Sequence, residues 1–181
     1  MSSIAALGLM NQELIVRRAD ESDAANLLAL RKALFEQTEF MLWEPGEFLE
    51  TADDERQRIA RLNGQHNSAC FVAESGAQLV GFLNAMGVKI NRLRHSTALA
   101  LGVRKSHWGL GVASALLTHA LAWAREAGLI RIELTVHTTN ERAVDLYKRA
   151  GFEIEGVRRR SLLVSNRYVD EYLMSVLLNE A

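Results

Sequence analysis

Leu101-Gly102-Val103-Arg104-Lys105-Ser106-His107-Trp108-Gly109-Leu110-Gly111-Val112-Ala113-Ser114-Ala115-Leu116-Leu117 is the stretch on which the reading of this chain turns. It begins inside an apolar segment, residues 97–103, where small residues (Ala98, Ala100, Gly102) alternate with larger ones (Leu99, Leu101, Val103). Period-two alternation predicts a strand with one face filling core and one face open to close approach. Residues 104–108 connect it to a helix predicted over 109–127, with Gly128 as the stop. A strand feeding a Gly-rich loop that opens a helix gathers main-chain N–H groups at the positive end of the helix dipole, and such a spot holds phosphate oxygens. Gly109 and Gly111 remove side chains that would obstruct those oxygens, and Ala113 stays small.

Spacing separates the anion-binding classes. A nucleoside-triphosphate loop needs GxxxxGK followed by Ser or Thr, which is absent from the sequence. A dinucleotide fingerprint needs GxGxxG close behind its strand, whereas the run Gly109 to Ser114 ends in Ser and follows after five intervening residues, although Glu133 lies at a suitable distance beyond. A Gly-rich helix start that binds nothing is the remaining alternative.

Outward from this stretch, residues 14–19 form a predicted strand, and Asp20 with Ser22 supplies cap chemistry for a helix over 24–37. Glu44-Pro45-Gly46 breaks the chain before a helix over 51–62 with an acidic first turn and a basic last turn. Residues 69–74 and 78–86 flank Ser75-Gly76-Ala77 as a hairpin. Beyond the central helix come a strand over 130–136, a helix over 140–150 stopped by Gly151, and strands over 152–159 and 168–177. The order β, α, α, β, β, β, α, β, α, β, β predicts an α/β (α+β) domain, one mixed sheet covered by helices. The predicted division is an extension over 1–13 and a domain over 14–181.

Composition agrees with one domain. The chain has 181 residues, 49% hydrophobic and 24% charged, which fits an ordinary globular protein. A formal net charge of −1 provides no global positive excess for a polyanion, so nucleic acid is not expected as a partner. One cysteine, Cys70, rules out an internal disulfide, and its apolar neighbours predict a buried, unreactive thiol. The apolar run 4–10 lacks a preceding basic residue, so no secretory signal is expected and the cytoplasm is the expected location. The uncharged run 106–124 carries Ser, Thr and His and predicts a buried helix, not a membrane span. GxSxG, HExxH and CxxC are all missing, which removes the serine-esterase, zinc-protease and structural-zinc readings.

Asn140-Glu141-Arg142-Ala143-Val144-Asp145-Leu146-Tyr147-Lys148-Arg149-Ala150-Gly151-Phe152 is the second informative segment. Asn140 and Tyr147 stand about two turns, or ~10 Å, apart on nearly the same helix face. They suit one groove. Taken alone, Asn140 is equally a helix cap, in competition with a Thr138–Glu141 capping box, and Tyr147 a packed aromatic.

Together the two segments resemble the GNAT superfamily of acyl-CoA-dependent N-acetyltransferases. That family pairs a strand ending in Val and an Arg/Gln-x-x-Gly-x-Gly/Ala loop with a later Asn-x-x-Ala-x-x-Leu-Tyr-x-x-x-Gly-Phe. Here these are Trp108-x-x-Gly111-x-Ala113 and Asn140 to Phe152, with Trp108 departing from the usual Arg or Gln. Glu155-Gly156, Tyr168, Asp170 and Met174 are similar to the family's last hairpin, and Asn91-Arg92-x-Arg94-His95 to a bacterial branch acting on small amines or amino acids. The resemblance implies a mostly antiparallel sheet splayed at its central strands, flanked by about four helices, with acetyl-CoA as co-substrate.

It further implies that Leu101, Gly102 and Val103 bond the pantetheine arm through their main chain. Trp108, Gly109, Leu110, Gly111, Val112, Ala113 and Ser114 would then cradle the diphosphate, and Asn140 would contact the cofactor arm. Tyr147 would protonate the leaving thiolate, as a phenol with an ordinary pKa near 10 can at neutral pH. The implied reaction is direct attack by the primary amine of a small molecule. The general base is sought among His95, Glu36 and Glu39, because an amine with a pKa near 10 arrives protonated. Glu36, Glu39, Glu44 and Glu47 form an acidic cluster that would attract a cation or simply face solvent, and Arg158-Arg159-Arg160 is a basic run that either meets a 3′-phosphate or is solvated. Two rival readings stand beside the enzyme: a non-catalytic CoA-binding module and an acetyltransferase of peptide N-termini. Exposed faces are not legible from the chain, and a homodimer is compatible with it.

Overall fold

The computed structural model describes residues 13–178, so the predicted extension lies almost wholly outside the described residues. Seven strands, β1 (Leu14–Arg18), β2 (Ala69–Ser75), β3 (Gln78–Met86), β4 (Ser96–Val103), β5 (Arg131–His137), β6 (Glu153–Val164) and β7 (Arg167–Leu177), form one sheet in the order β1-β2-β3-β4-β5-β7-β6. Helices α1 (Ala24–Gln37) and α2 (Ala52–Asn63) cover one face, and α3 (Val112–Glu126) and α4 (Glu141–Arg149) pack on the other. All neighbours are antiparallel except β4 and β5, whose parallel pairing stops after three matched residues, Ser96↔Arg131, Thr97↔Ile132 and Ala98↔Glu133. Beyond Ala98 the two central strands part.

Two buried clusters hold the layers. Phe71, Leu83, Leu99, Leu116, Leu117, Ile132, Leu134, Tyr147 and Met174 unite the α3–α4 side. Leu27, Leu30, Leu34, Ile59, Val72 and Phe82 unite the α1–α2 side. Within that second layer lies a chain of charges: Arg31 Nε donates to Glu55 (3.1 Å), which also accepts from Arg58 (2.5 Å), and Arg58 reaches Glu50. Glu55 is fully buried, and Arg31 lies 4.2 Å over the Phe82 ring.

The elements follow their local chemistry, with four departures from the sequence expectation. Thr51 and Asp54 form a reciprocal capping box that starts α2. α3 begins at Val112 and not at 109, because Gly109 and Gly111 take φ of +80° and +83°, which no right-handed helix accommodates. β2 extends through Ser75, so its turn into β3 is the pair Gly76-Ala77. β5 runs one residue past its expected end, to His137. The last hairpin is longer than expected: a bulge between Arg158 and Leu162, with Arg160 at φ +52°, absorbs the arginine run that interrupts the alternation. A two-residue turn, Ser165-Asn166, with φ of +48° and +61°, then closes it.

Candidate active site

Where β4 and β5 diverge, their facing edges lose their ladder partners. Arg104 N–H donates to the Val80 carbonyl (2.8 Å), and Gly81 lies opposite Val103. Antiparallel alternation therefore turns the main-chain groups of Gly102 towards β3 and the Leu99 carbonyl with the main-chain groups of Leu101 and Val103 towards the gap, the Leu99 N–H being spent on the last β4–β5 pair. One of the latter is already used, since the Val103 carbonyl accepts from the Trp108 indole N–H at 2.7 Å. Gly102 serves packing: a Cβ there would come within 2.7 Å of Leu34 and 2.9 Å of Phe82. The close approach its small size permits is made by α1.

The gap opens into a cleft of about 840 Å³ that passes through the sheet. On the α3–α4 side it is lined by Trp108, Gly109, Gly111, Val112, Ala113, Ser114, Asn140 and Tyr147. Helix α3 starts at Gly111 with no side-chain cap, and its first intrahelical bond is Ala115 N–H to the Gly111 carbonyl (2.9 Å). The N–H groups of Val112, Ala113 and Ser114 thus stand without helical acceptors at the positive end of a fifteen-residue helix. A diphosphate fits this end. Leu110, by contrast, turns its side chain to solvent outside the cleft, and Val112 buries its own in the core.

Asn140 is the N-cap of α4, its Oδ1 accepting from Ala143 N–H (3.3 Å). Its amide NH2 is left to donate into the cleft it lines. The competing Thr138–Glu141 box is not formed. Tyr147 packs against Phe152 at a ring distance of 5.7 Å, and burial pushes its phenol up to about 12, so it keeps its proton at neutral pH.

On the α1 side the cleft widens into a chamber. Ile132, Leu134 and Val136 of β5 enter the core, so alternation sends Glu133, Thr135 and His137 to this opposite face. Ala98 and Ala100, Phe40, Met41 and Leu42 after α1, and Leu162, Glu171 and Leu173 of the final hairpin complete the wall. Glu133 accepts from Arg131 (3.0 Å), and the nearly buried Glu171 accepts from Arg158 (3.3 Å). His137 is 6% exposed and meets the Phe40 ring edge-on at 5.5 Å. Burial holds its imidazole below its ordinary pKa, outweighing the upward pull of Glu171 and Glu39. It is therefore neutral at physiological pH and able to accept a proton.

The three expected bases are elsewhere. His95 is exposed before β4 and Glu36 is exposed on α1, both outside the cleft lining; Glu39 is also outside it and reaches the site only through its charge on His137. Arg158, Arg159 and Arg160 are not in the lining either. His137 escaped the sequence reading because the expected strand stops at Val136, one residue short. Extending the alternation of β5 by that residue would have put it on the face of Glu133 and Thr135. Cys70 is buried as expected, and burial pushes its thiol up to about 12. Among the described residues there is no metal-holding cluster of His, Cys, Asp or Glu, and no helix is long and apolar enough to cross a membrane.

The acetyltransferase (GNAT) family profile matches residues 31–152, more than half of the sequence and all of the anion-loop segment. The chain belongs to the GNAT acetyltransferase family. A GNAT acetyltransferase of solved structure from Streptococcus pneumoniae is 31% identical and superposes with a TM-score of 0.89 over 92% of this chain and 100% of that one. A ribosomal-protein-alanine N-acetyltransferase from Brucella melitensis is 25% identical, with a TM-score of 0.81 over 91% of this chain and 99% of that one. The L-amino acid N-acetyltransferase AaaT of Escherichia coli is 43% identical over 75 residues, 39% of this chain and 44% of the relative. The chain spans less than half the length of the curated relatives it matches. The splayed sheet and the open start of α3 are thus features of a GNAT fold, here with Trp108 at the head of the loop.

Proposed function

We propose that this protein transfers the acetyl group of acetyl-CoA to the primary amine of a small molecule by direct attack, and that residues 14–181 form the catalytic domain. The observation that carries the reading is the passage through the sheet between β4 and β5. It has an anion-binding helix start on one face, a mostly apolar chamber with a neutral imidazole on the other, and a phenol that keeps its proton at neutral pH in its lining.

When bound, acetyl-CoA supplies a thioester carbonyl carbon open to nucleophiles. The α3 N–H groups of Val112 to Ser114 hold its diphosphate, and the unpaired β4 edge bonds its arm through the Leu99 carbonyl and polarises the thioester carbonyl through the Leu101 N–H. The acceptor enters the chamber as an ammonium ion, drawn by the carboxylates Glu133 and Glu171. His137 takes one proton through its unprotonated ring nitrogen, which frees the nitrogen lone pair to attack. As the C–N bond forms and the C–S bond breaks, the Tyr147 phenol gives its proton to the departing sulfur, the nitrogen's second proton passes through solvent to restore the phenol, and His137 releases its proton to bulk water. A chamber walled by residues 40–42 and the β6–β7 hairpin supports a small acceptor over a peptide. The name of the Escherichia coli relative supports an amino acid among the candidates.

The test is a panel of free amino acids, polyamines, aminoglycosides and N-terminal peptides, each offered with acetyl-CoA and followed by release of free thiol. Buried Cys70 should contribute no background to that readout. Turnover is expected with one of the small amines. Turnover with peptides alone, or CoA binding with no turnover on any amine, would overturn the reading in favour of a peptide acetyltransferase or a binding module respectively.

A further inference from the structure

The GNAT loop usually opens with Arg or Gln, and this chain has Trp108 there. A guanidinium nevertheless lies against that residue. Arg142, the second residue of α4, lines the cleft and places its Cζ 4.7 Å from the centre of the Trp108 ring, within cation–π range. The indole is itself pinned by its bond to the Val103 carbonyl (2.7 Å), so the ring is a fixed platform for the cation. Leu146 and Arg149 also line the cleft. Positions 142, 146 and 149 fall on one stripe of α4, which sets the two arginines about two turns, or ~10 Å, apart along the groove. Neither forms an ion pair among the described residues, whereas Arg131 and Arg158 are both tied to carboxylates. Glu141 is the one acidic residue of α4 in the lining, and it sits at the helix start, where the dipole offsets its charge.

We propose that Arg142 and Arg149 form a phosphate rail on α4. Arg142, held on Trp108, supplies to the diphosphate the guanidinium that residue 108 lacks, and Arg149 takes the separate 3′-phosphate of the same nucleotide. This rests on the assignment of CoA to the cleft. It gives the groove two walls of different kind: main-chain N–H groups from α3, which read an anion by geometry, and side-chain cations from α4, which read its charge and the spacing of its phosphates. It also replaces the Arg158 to Arg160 run as the source of 3′-phosphate recognition.

Calorimetric titration of the full chain with CoA and with 3′-dephospho-CoA tests it. Arg149→Gln is expected to weaken CoA about tenfold, the factor that about 1.4 kcal/mol represents, while leaving dephospho-CoA unchanged. Arg142→Gln is expected to weaken both by a similar factor, and Trp108→Leu to weaken both because the platform is lost. The assignment of Arg149 is overturned if its variant weakens the two ligands equally or neither, and that of Arg142 if its variant leaves both at wild-type affinity. Wild-type protein that fails to bind CoA would instead refute the functional reading beneath it.

Discussion

Replacing Gly111 by valine separates the loop's structural role from its binding role, provided a matched control bears the same backbone cost. Gly128 is that control. Gly111 has φ of +83° and Gly128 +68°, and a Cβ built on either meets no atom within 4 Å. Neither Cβ meets a neighbour, so the cost common to both is the strain of a β-branched residue at positive φ, about 1–3 kcal/mol. At about 2–4 °C per kcal/mol for a chain of this size, both variants should melt about 2–12 °C below wild type. The two positions lie beyond opposite ends of α3, whose fifteen residues span about 22 Å at ~1.5 Å per residue. Only Gly111 → Val changes the N–H array facing the cleft. Loss of one charge-assisted hydrogen bond to phosphate, about 1.5–3 kcal/mol, weakens CoA about ten- to 150-fold. Differential scanning calorimetry and CoA titration on both variants decide the matter. Equal melting losses with CoA affinity within about twofold of wild type in Gly111 → Val would show that the start of α3 does not hold the diphosphate, since about 0.4 kcal/mol is less than any such bond contributes.

Tyr147→Phe should lower kcat by about 10²–10⁴-fold with CoA affinity nearly unchanged, and a stopped-flow or steady-state kcat equal to wild type would remove the proton-donor role. His137 and His107 are both held by burial below the ordinary value of 6.5, so the unfolded chain takes protons first as pH falls. The resulting penalty is negligible well above that value and grows as pH falls through it, so urea unfolding should show stability falling as pH drops through about 6.5, with a shallower fall in His137→Gln. The same depression places the acid limb of kcat below 6.5, and an unchanged limb in that variant would exclude His137 as base. Glu55→Ala leaves Arg31 and Arg58 without their buried carboxylate and should cost about 3–5 kcal/mol in urea unfolding; a loss under about 1 kcal/mol would mean the charge chain is relaxed by water.

Much of this architecture was legible because its signals are local. The alternation of residues 97–103, the Gly-rich helix start and the cap at Asn140 each report a conformation fixed within a few residues, and each stands within a residue or three of its expected place. The final hairpin was harder, because a bulge at Arg160 lets three arginines sit in a strand whose pattern they interrupt. The base was hidden for a different reason. Its candidates were sought at the start of the central strand (His95) and in the connection after α1 (Glu36, Glu39), whereas the imidazole that faces the chamber comes from the end of β5, far from both along the chain.

The splay between β4 and β5 illustrates what no periodicity can report. Both strands keep intact alternation through Val103 and His137, and nothing within either distinguishes a paired residue from an unpaired one. What separates them is a pairing that ends at Ala98↔Glu133, while beyond that point each strand stays matched on its outer edge, β4 to β3 and β5 to β7. The edges facing the gap consequently carry polar main-chain groups with no strand to satisfy them, a state that buried backbone tolerates poorly. Trp108 satisfies one by donating to the Val103 carbonyl. The Leu99 carbonyl and the main-chain groups of Leu101 face a cleft whose other contents are an open helix start, a phenol and a neutral imidazole. A ligand with a thioester at one end, an amide-bearing arm next to it and a diphosphate beyond supplies partners for the phenol, the strand edge and the helix start in turn, and its acceptor amine supplies one for the imidazole. That complementarity, rather than any single side chain, is why substitutions confined to Tyr147 or His137 should stop turnover while leaving cofactor binding in place.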